Sequence, residues 1–221
     1  MPRRIIGGAF VSLDGVMQAP GGPEEDTSGG FAFGGWLAKV FDEAIGNQID
    51  SLFGADFDLL LGRRTYEIFA GFWPFQPSDD PIRQKFDKAD KYLVTKAGTD
   101  LDWATTHRLA DLDALAQAKQ QDGPDLVIQG SSTLYPQLLE RGLLDRLIVM
   151  IAPVTLGSGK RLLGEGTPAK TLKLVEQRTG AAGAVIATYE PQGPVETGTF
   201  ETQPPTDLEL KRRERVNSGT W

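Results

Sequence analysis

The chain has 221 residues, 40% of them hydrophobic and 24% charged, with a formal net charge of −7, one histidine and no cysteine. This length suits one large domain or two small ones, and the composition excludes disulfides, thiol nucleophiles and histidine-rich metal sites. The diffuse acidic balance argues against nucleic acid and anionic membranes as partners, because both require basic patches.

Short apolar runs alternate with segments of helical periodicity along the first half of the chain. Residues 4–11 predict a buried strand, not a signal peptide, and no apolar run is long enough to span a membrane. Residues 16–35 are rich in glycine and proline and predict a long loop. Apolar residues then recur at helical spacing from Trp36 to Phe53. A second strand is predicted over 57–61, and a short helix begins within 63–67.

The second half continues the alternation and ends in a hairpin. Residues 73–85 predict an irregular loop that leads into a helical turn, and strands are predicted over 91–95, 125–129 and 145–154. A helix from Leu109 to Ala116 is ended by Gly123-Pro124, and Ser131 or Ser132 can cap a further helix. Residues 170–177 and 184–190 predict an antiparallel pair. This order implies a mostly parallel sheet with an antiparallel edge.

The composition changes after residue 190. Residues 191–207 are rich in proline, glycine, threonine and glutamate, and Leu208–Val216 predicts a short charged helix. We therefore expect one domain over 1–190 and a tail or arm over 191–221. The lack of cysteine and of a signal peptide favours a cytoplasmic location.

Two strand-to-helix turns carry the residues that phosphate groups require. Gly62, Arg63, Arg64 and Thr65 follow the second strand, and Gly130, Ser131, Ser132 and Thr133 follow a later one. Free N–H groups and the helix dipole favour a phosphate at such turns. Each turn alone also fits an ordinary helix start with solvated side chains. Two turns together favour a dinucleotide site, although neither is a G-x-G-x-x-G fingerprint.

Two further groups of polar residues follow strand ends. Thr95 and Lys96 could bind a ribose 2′-phosphate, which would select NADPH over NADH, or could form a solvated turn. Ser12 and Asp14 lie where the first strand ends and a long loop begins. Asp14 could therefore contact substrate, or it could simply form a turn with Gly15.

These segments, in this order, resemble the dihydrofolate-reductase-like superfamily. The resemblance rests on Ser12-Leu-Asp-Gly, Gly62-Arg-Arg-Thr-Tyr-Glu, Leu93-Val-Thr-Lys, Gln129-Gly-Ser-Ser-Thr-Leu-Tyr and Pro153-Val-Thr-Leu-Gly-Ser-Gly-Lys. It covers about residues 3–190 and is closest to the branch of the riboflavin-biosynthesis reductase, the RibD C-terminal domain. It implies a three-layer α/β fold with about eight strands, NADPH as cofactor and a homodimer.

The resemblance also assigns roles to residues. It implies that the Gly62–Thr65 and Gly130–Thr133 turns hold the cofactor phosphates, that Thr95 and Lys96 lie near the 2′-phosphate, and that Gly157 and Gly159 allow close approach to the ligand groove. Ser12 and Asp14 match positions beside the nicotinamide and substrate.

The function expected from these observations is reduction of a small polar heterocycle, such as a ribosylamino-pyrimidine of the riboflavin pathway, with Asp14 as the proton-handling group and Ser12 as its helper. One alternative is a non-catalytic NADP(H)-binding module used in regulation. The other is pterin reduction, for which the acidic residues offered by the first helix are Asp42, Glu43 and Asp50.

Overall fold

The computed structural model describes residues 2–98 and 100–220. Its strands are β1 (Ile5–Ser12), β2 (Phe57–Gly62), β3 (Lys91–Val94), β4 (Thr106–Leu109), β5 (Asp125–Gln129), β6 (Arg146–Ala152), β7 (Thr171–Thr179) and β8 (Val185–Gly193). Its α-helices are α1 (Glu43–Leu52), α2 (Arg63–Phe72), α3 (Pro81–Lys88), α4 (Leu112–Gln120), α5 (Leu134–Glu140) and α6 (Asp207–Asn217). Short 3-10 helices cover Ser28–Gly30 and Trp73–Phe75.

The eight strands form one sheet in the order β4-β3-β2-β5-β1-β6-β8-β7. Neighbours from β4 to β6 pair in parallel, whereas β8 is antiparallel to both β6 and β7. The predicted fold class, a mostly parallel sheet with an antiparallel C-terminal edge, is therefore confirmed. The carboxyl ends of six strands consequently lie along one edge of the sheet.

Helices cover both faces of the central strand β1, and two glycines let them approach closely. A Cβ atom on Gly7 would lie 2.6 Å from a ring carbon of Tyr135 on α5, and one on Gly8 would overlap a side-chain carbon of Leu52 on α1. Side chains of α4 and α5 join the apolar cluster on one face, and those of α1, α2 and α3 join the clusters on the other. The result is a three-layer arrangement with the sheet in the middle.

The helical turn predicted after the loop at 73–85 is a full helix, α3, capped by Asp80, and α5 has Thr133 as its N-cap residue in place of Ser131 or Ser132. Two other elements differ more from the sequence prediction. The first helix begins at Glu43 instead of Trp36, because the Asp42 carboxylate caps it by accepting from the Ile45 amide at 3.1 Å. The apolar residues before Asp42 form turns, and Leu37 is buried without being helical. The strand β4 was missed, and Leu109 was assigned to a helix. The sequence of β4 has only one apolar residue, and parallel pairing with β3 makes this segment a strand.

The C-terminal segment lies largely on the surface. Strand β8 continues to Gly193, three residues beyond the predicted domain boundary. The charged helix predicted over Leu208–Val216 is present as α6, and none of its residues is buried. The last tail residue, Trp221, lies outside the described residues. Among the helices that are described, none is long and apolar enough to cross a bilayer.

Candidate functional site

A cavity of about 1250 Å³ opens along the edge of the sheet where the parallel strands end. Residues that follow β4, β3, β2, β5 and β1 line it, together with Lys160 from the loop after β6. Ligands bind at this edge of open parallel sheets, because strand-to-helix turns present free N–H groups there. The volume exceeds the roughly 300–1,000 Å³ usual for one drug-sized ligand, so a larger ligand or two ligands can be accommodated.

The turn between β2 and α2 presents an uncapped helix start to the cavity. Gly62 is the N-cap residue of α2 and supplies no side-chain cap, and the first turn of the helix has no acidic residue. The first amides of α2 are therefore left for solvent or a ligand. Arg63 is paired with Glu67 at 2.8 Å. Arg64 is exposed and has no ion-pair partner in the described part of the chain, so its guanidinium is available to an anion.

The turn between β5 and α5 has two residues in the left-handed region, Gly130 at φ 71° and Ser131 at φ 56°. Glycine is required at the first of them, because a Cβ there would lie 2.8 Å from Cγ2 of Thr65. Ser131 is buried, and its backbone N–H donates to Oγ1 of Thr65 at 2.8 Å. Its own hydroxyl oxygen accepts from the Gly62 amide at 2.9 Å. Ser131 and Thr65 therefore hold the two turns together.

The side chains left facing the cavity from this turn are those of Ser132 and Thr133. Ser132 is half-buried and Thr133 is exposed. Thr133 is the N-cap residue of α5 but makes no side-chain capping hydrogen bond. Of the four residues predicted to hold a pyrophosphate here, these two have hydroxyl groups available, whereas Ser131 serves mainly to join the turns.

Thr95 and Lys96 lie past the end of β3 and also line the cavity. Thr95 is buried, and its hydroxyl oxygen accepts from the Ala97 amide at 3.1 Å, so it shapes the turn that presents Lys96. Lys96 is exposed and lies near Asp111, the N-cap residue of α4. Hydrogen bonding from the Ala114 amide, and then the positive charges of Lys96 and Arg141, lower the pKa of Asp111. This end of the cavity is therefore basic, although the carboxylates of Glu67 and Asp111 line it as well.

The loop after β1 closes the opposite end of the cavity with a carboxylate that the sequence analysis did not single out. Oε2 of Glu25 accepts from the Gly21 and Gly22 amides at 2.6 and 3.2 Å. Burial raises the pKa of Glu25 despite these two bonds. The sequence signal was weak, because Glu25 stands in an irregular segment where an acidic residue usually indicates a solvated loop.

Ser12 and Asp14 do not line the cavity. The Asp14 carboxylate accepts three hydrogen bonds: from the Ser12 hydroxyl at 2.6 Å, the Leu156 amide at 3.0 Å and the Gly157 amide at 2.8 Å. These donors, the Ser12 hydroxyl first, lower the pKa of Asp14 to about 2. The geometry favours a structural role, in which Asp14 ties the end of β1 to the loop after β6. Its catalytic role stays a prediction.

Gly157 and Gly159 also lie outside the cavity lining. Gly157 has φ 76° and donates its amide to Asp14, as described above. Gly159 has φ 123°, and a Cβ there would lie 2.6 Å from Val16 and 2.9 Å from the Phe31 ring. These glycines let the loop pack closely and deliver the next residue, Lys160, to the cavity. Close approach to a ligand at these two positions stays a prediction.

The acidic residues of the first helix do not reach the cavity either. Asp42 caps α1, and its second carboxylate oxygen accepts from the Ala182 amide at 3.0 Å. Glu43 and Asp50 are both absent from the lining. The structure thus brings together ten of the twelve predicted cofactor residues, from Gly62 to Thr133, and leaves out the glycines at 157 and 159 and both predicted catalytic residues.

Comparison with known proteins shows the family of the chain. The family model of the RibD C-terminal domain matches residues 3–186. Among curated proteins, the chain is similar to the uncharacterized protein YyaP of Bacillus subtilis (strain 168), with 26% identity over 202 residues, or 86% of this chain and 96% of YyaP.

Two solved structures show the same fold. A putative riboflavin biosynthesis protein from Shewanella sp. PV-4 aligns with a TM-score of 0.63 and 18% identity, over 87% of this chain and 99% of that chain. Dihydrofolate reductase from Enterococcus faecalis, complexed with NADP(H) and RAB-propyl, aligns with a TM-score of 0.54 and 14% identity, over 85% of this chain and 96% of that chain.

Proposed function

The chain belongs to the RibD C-terminal domain family, and from that premise we propose that it is an NADPH-dependent reductase of a small heterocyclic substrate. The observation that carries the proposal is the meeting of two strand-to-helix turns in one cavity. Ser131 joins the turns through Gly62 and Thr65, so both helix starts face the same space. Parallel sheets with this arrangement bind nucleotides at the same edge.

The donors present suit NADPH. Arg64 and the first amides of α2 would hold one side of the pyrophosphate, and Ser132 and Thr133 the other. Lys96 would pair with the 2′-phosphate, and Asp111 beside it would limit the excess of positive charge. These side chains already line the cavity, so the assignment requires no conformational change of the described residues.

When bound, the cofactor supplies a hydride, which reduces a C=N or C=O carbon, and the neighbouring nitrogen or oxygen then takes up a proton. The chain's part is to orient both molecules, exclude water and deliver that proton. Glu25 is better suited to this than Asp14. It lines the cavity and has a raised pKa, whereas Asp14 lies outside the cavity and has a pKa of about 2.

The substrate that the family suggests is a ribosylamino-pyrimidine of the riboflavin pathway. A Shewanella protein with the same fold is described as a putative riboflavin biosynthesis protein. We propose this pyrimidine, with and without its 5′-phosphate, as the first compound to be tested.

The test separates binding from turnover. NADPH is titrated against the full chain by the quenching of tryptophan fluorescence, and its oxidation is then followed at 340 nm with a panel of heterocycles. Binding with oxidation supports the reductase. Binding without oxidation by any compound favours the alternative of a nucleotide-binding module, and absence of binding removes both functions.

A further inference from the structure

Charge is unevenly distributed along the cavity. At the end beneath β2, β3 and β4, the lining residues with basic side chains are Arg63, Arg64, Lys96 and Arg141. Two of them are already paired, Arg63 with Glu67 and Arg141 with Asp113. The remaining two basic side chains are those that the proposed function assigns to the phosphates of NADPH.

The opposite end, beneath β1 and β6, is acidic. The loop after β1 contributes three consecutive carboxylates to the lining, those of Glu24, Glu25 and Asp26. Lys160 is the one basic residue that the described lining contains there. Its ammonium group is paired with Asp26 and donates to the Ser28 hydroxyl at 2.6 Å. In the described lining, no unpaired positive charge is therefore left for a ligand at this end.

The cavity also has an apolar wall. The C-terminal part of α2 and the residue after it contribute Phe69, Phe72 and Trp73 to the lining, and the Phe72 and Trp73 rings meet edge to face with centroids 5.1 Å apart. Phe72 is 51% exposed, although it is a large apolar residue. Pro20 and Pro23 of the loop after β1 line the cavity as well. Aromatic and proline side chains left open in a cavity favour a flat apolar ligand.

We propose that the part of the cavity not assigned to NADPH, with its acidic end and its apolar wall, binds an uncharged, largely apolar ring compound and excludes phosphorylated substrates. The inference rests on the proposed function, because it takes the basic end to be occupied by NADPH. A phosphate group brought to this end would lose its hydration and face carboxylates with no free cation, and both effects weaken binding. The family's phosphorylated pyrimidine would then be a poor substrate for this chain.

A pair of dyes that differ in one charged group tests the proposal without knowledge of the substrate. N-phenyl-1-naphthylamine is uncharged, and 8-anilinonaphthalene-1-sulfonate is the same ring system with a sulfonate. Both are titrated against the full chain saturated with NADPH. We expect the uncharged dye to bind at least tenfold more tightly than the sulfonate. Equal affinities, tighter binding of the sulfonate, or binding of neither dye would overturn the proposal.

Three variants, one of them a control, locate the effect. Phe72→Ala should weaken binding of the uncharged dye at least threefold, and Phe75→Ala, at a 78% exposed phenylalanine outside the lining, should not. Glu24→Gln removes one exposed carboxylate and should reduce the difference in affinity between the two dyes. Unchanged dye binding in Phe72→Ala would place the dye elsewhere and also overturn the proposal. Failure of NADPH to bind would instead remove the proposed function, and this inference with it.

Discussion

The Ser131 hydroxyl oxygen accepts a hydrogen bond from the Gly62 amide at 2.9 Å, so a residue after β5 satisfies a buried backbone group at the end of β2. In Ser131→Ala, that amide would lose its partner, which costs about 1–3 kcal/mol. We expect Ser131→Ala to lower the free energy of unfolding by this amount, as measured by urea denaturation. Ser132→Ala should leave stability nearly unchanged and weaken NADPH binding. The assignment would be wrong if the two variants exchanged these effects.

The two turn glycines should respond differently to alanine. Gly130 has φ 71°, and its Cβ would lie 2.8 Å from Thr65, so Gly130→Ala should cost about 1–3 kcal/mol of stability. Gly62 has φ −84°, and a Cβ there would have its nearest contact at 3.5 Å. Gly62→Ala should therefore fold with a change within about 0.5 kcal/mol. Thermal unfolding of both variants checks this, and equal losses would contradict it.

Lys96 and Arg64 should differ in their effect on cofactor choice. Lys96→Ala should weaken NADPH about tenfold and leave NADH nearly unchanged, because NADH has no 2′-phosphate. Arg64→Ala should weaken both cofactors, since both have a pyrophosphate. Fluorescence titration with each dinucleotide measures this. Lys88→Ala, at an exposed lysine away from the cavity, is the control. Equal loss of both cofactors in Lys96→Ala would remove the 2′-phosphate assignment.

Asp14 provides a pH-dependent test of its structural role. Its pKa is lowered from 3.8 to about 2 in the folded chain, so its ionised form stabilises the fold above about pH 4. That contribution is lost as the pH falls through the range between these two values. Asp14→Asn keeps the size of the side chain but places an amide donor opposite other donors. We expect it to be less stable than the wild type at pH 7, with the difference shrinking toward pH 2.

If Asp14 is catalytic, the opposite results are expected for Asp14→Asn. If Asp14 handled the proton, Asp14→Asn would keep its stability and lose about 10²–10⁴-fold in kcat. Urea denaturation across the pH range and steady-state kinetics at pH 7 distinguish the two roles. Glu25→Gln, measured in parallel, should lower kcat if Glu25 delivers the proton.

The exposed edge strand β7 suggests how a homodimer would form. Leu174 and Val175 on β7 are 48% and 47% exposed, and edge strands with apolar side chains readily pair. We expect light scattering to give a dimer at micromolar concentration and Leu174→Glu to give a folded monomer, with Phe75→Glu as a control. A full-length monomer would refute the dimer.

The tail needs a separate truncation. Because β8 continues to Gly193 and Thr171 donates to the Pro194 carbonyl oxygen at 2.8 Å, a cut after residue 196 preserves the hairpin better than one at 190. If the tail docks on a second copy, the truncated chain should form a weaker dimer. An unchanged dimer would exclude only a role of the tail in dimer formation.

The sequence alone determined the fold class and most of the cavity end that we assign to the cofactor. Strands such as β2 and β5 are buried and apolar, and the turn after each combines glycine with basic or hydroxyl residues, so local pattern is enough to find them. A parallel sheet then necessarily brings the carboxyl ends of these strands to one edge. The edge strand β4 was missed because its local pattern is weak and its conformation comes from pairing with β3.

Only the tertiary structure decided which polar side chains are free to act. In the sequence, Asp14, Ser131 and Asp42 are polar residues that could bind a ligand. In the structure, each accepts a hydrogen bond from a residue more than 60 positions away. Glu25 looks like a solvated loop residue, yet the loop folds back so that it lines the cavity. Hydrogen-bond partners of this kind depend on contacts between distant segments, which local periodicity and turn chemistry do not encode.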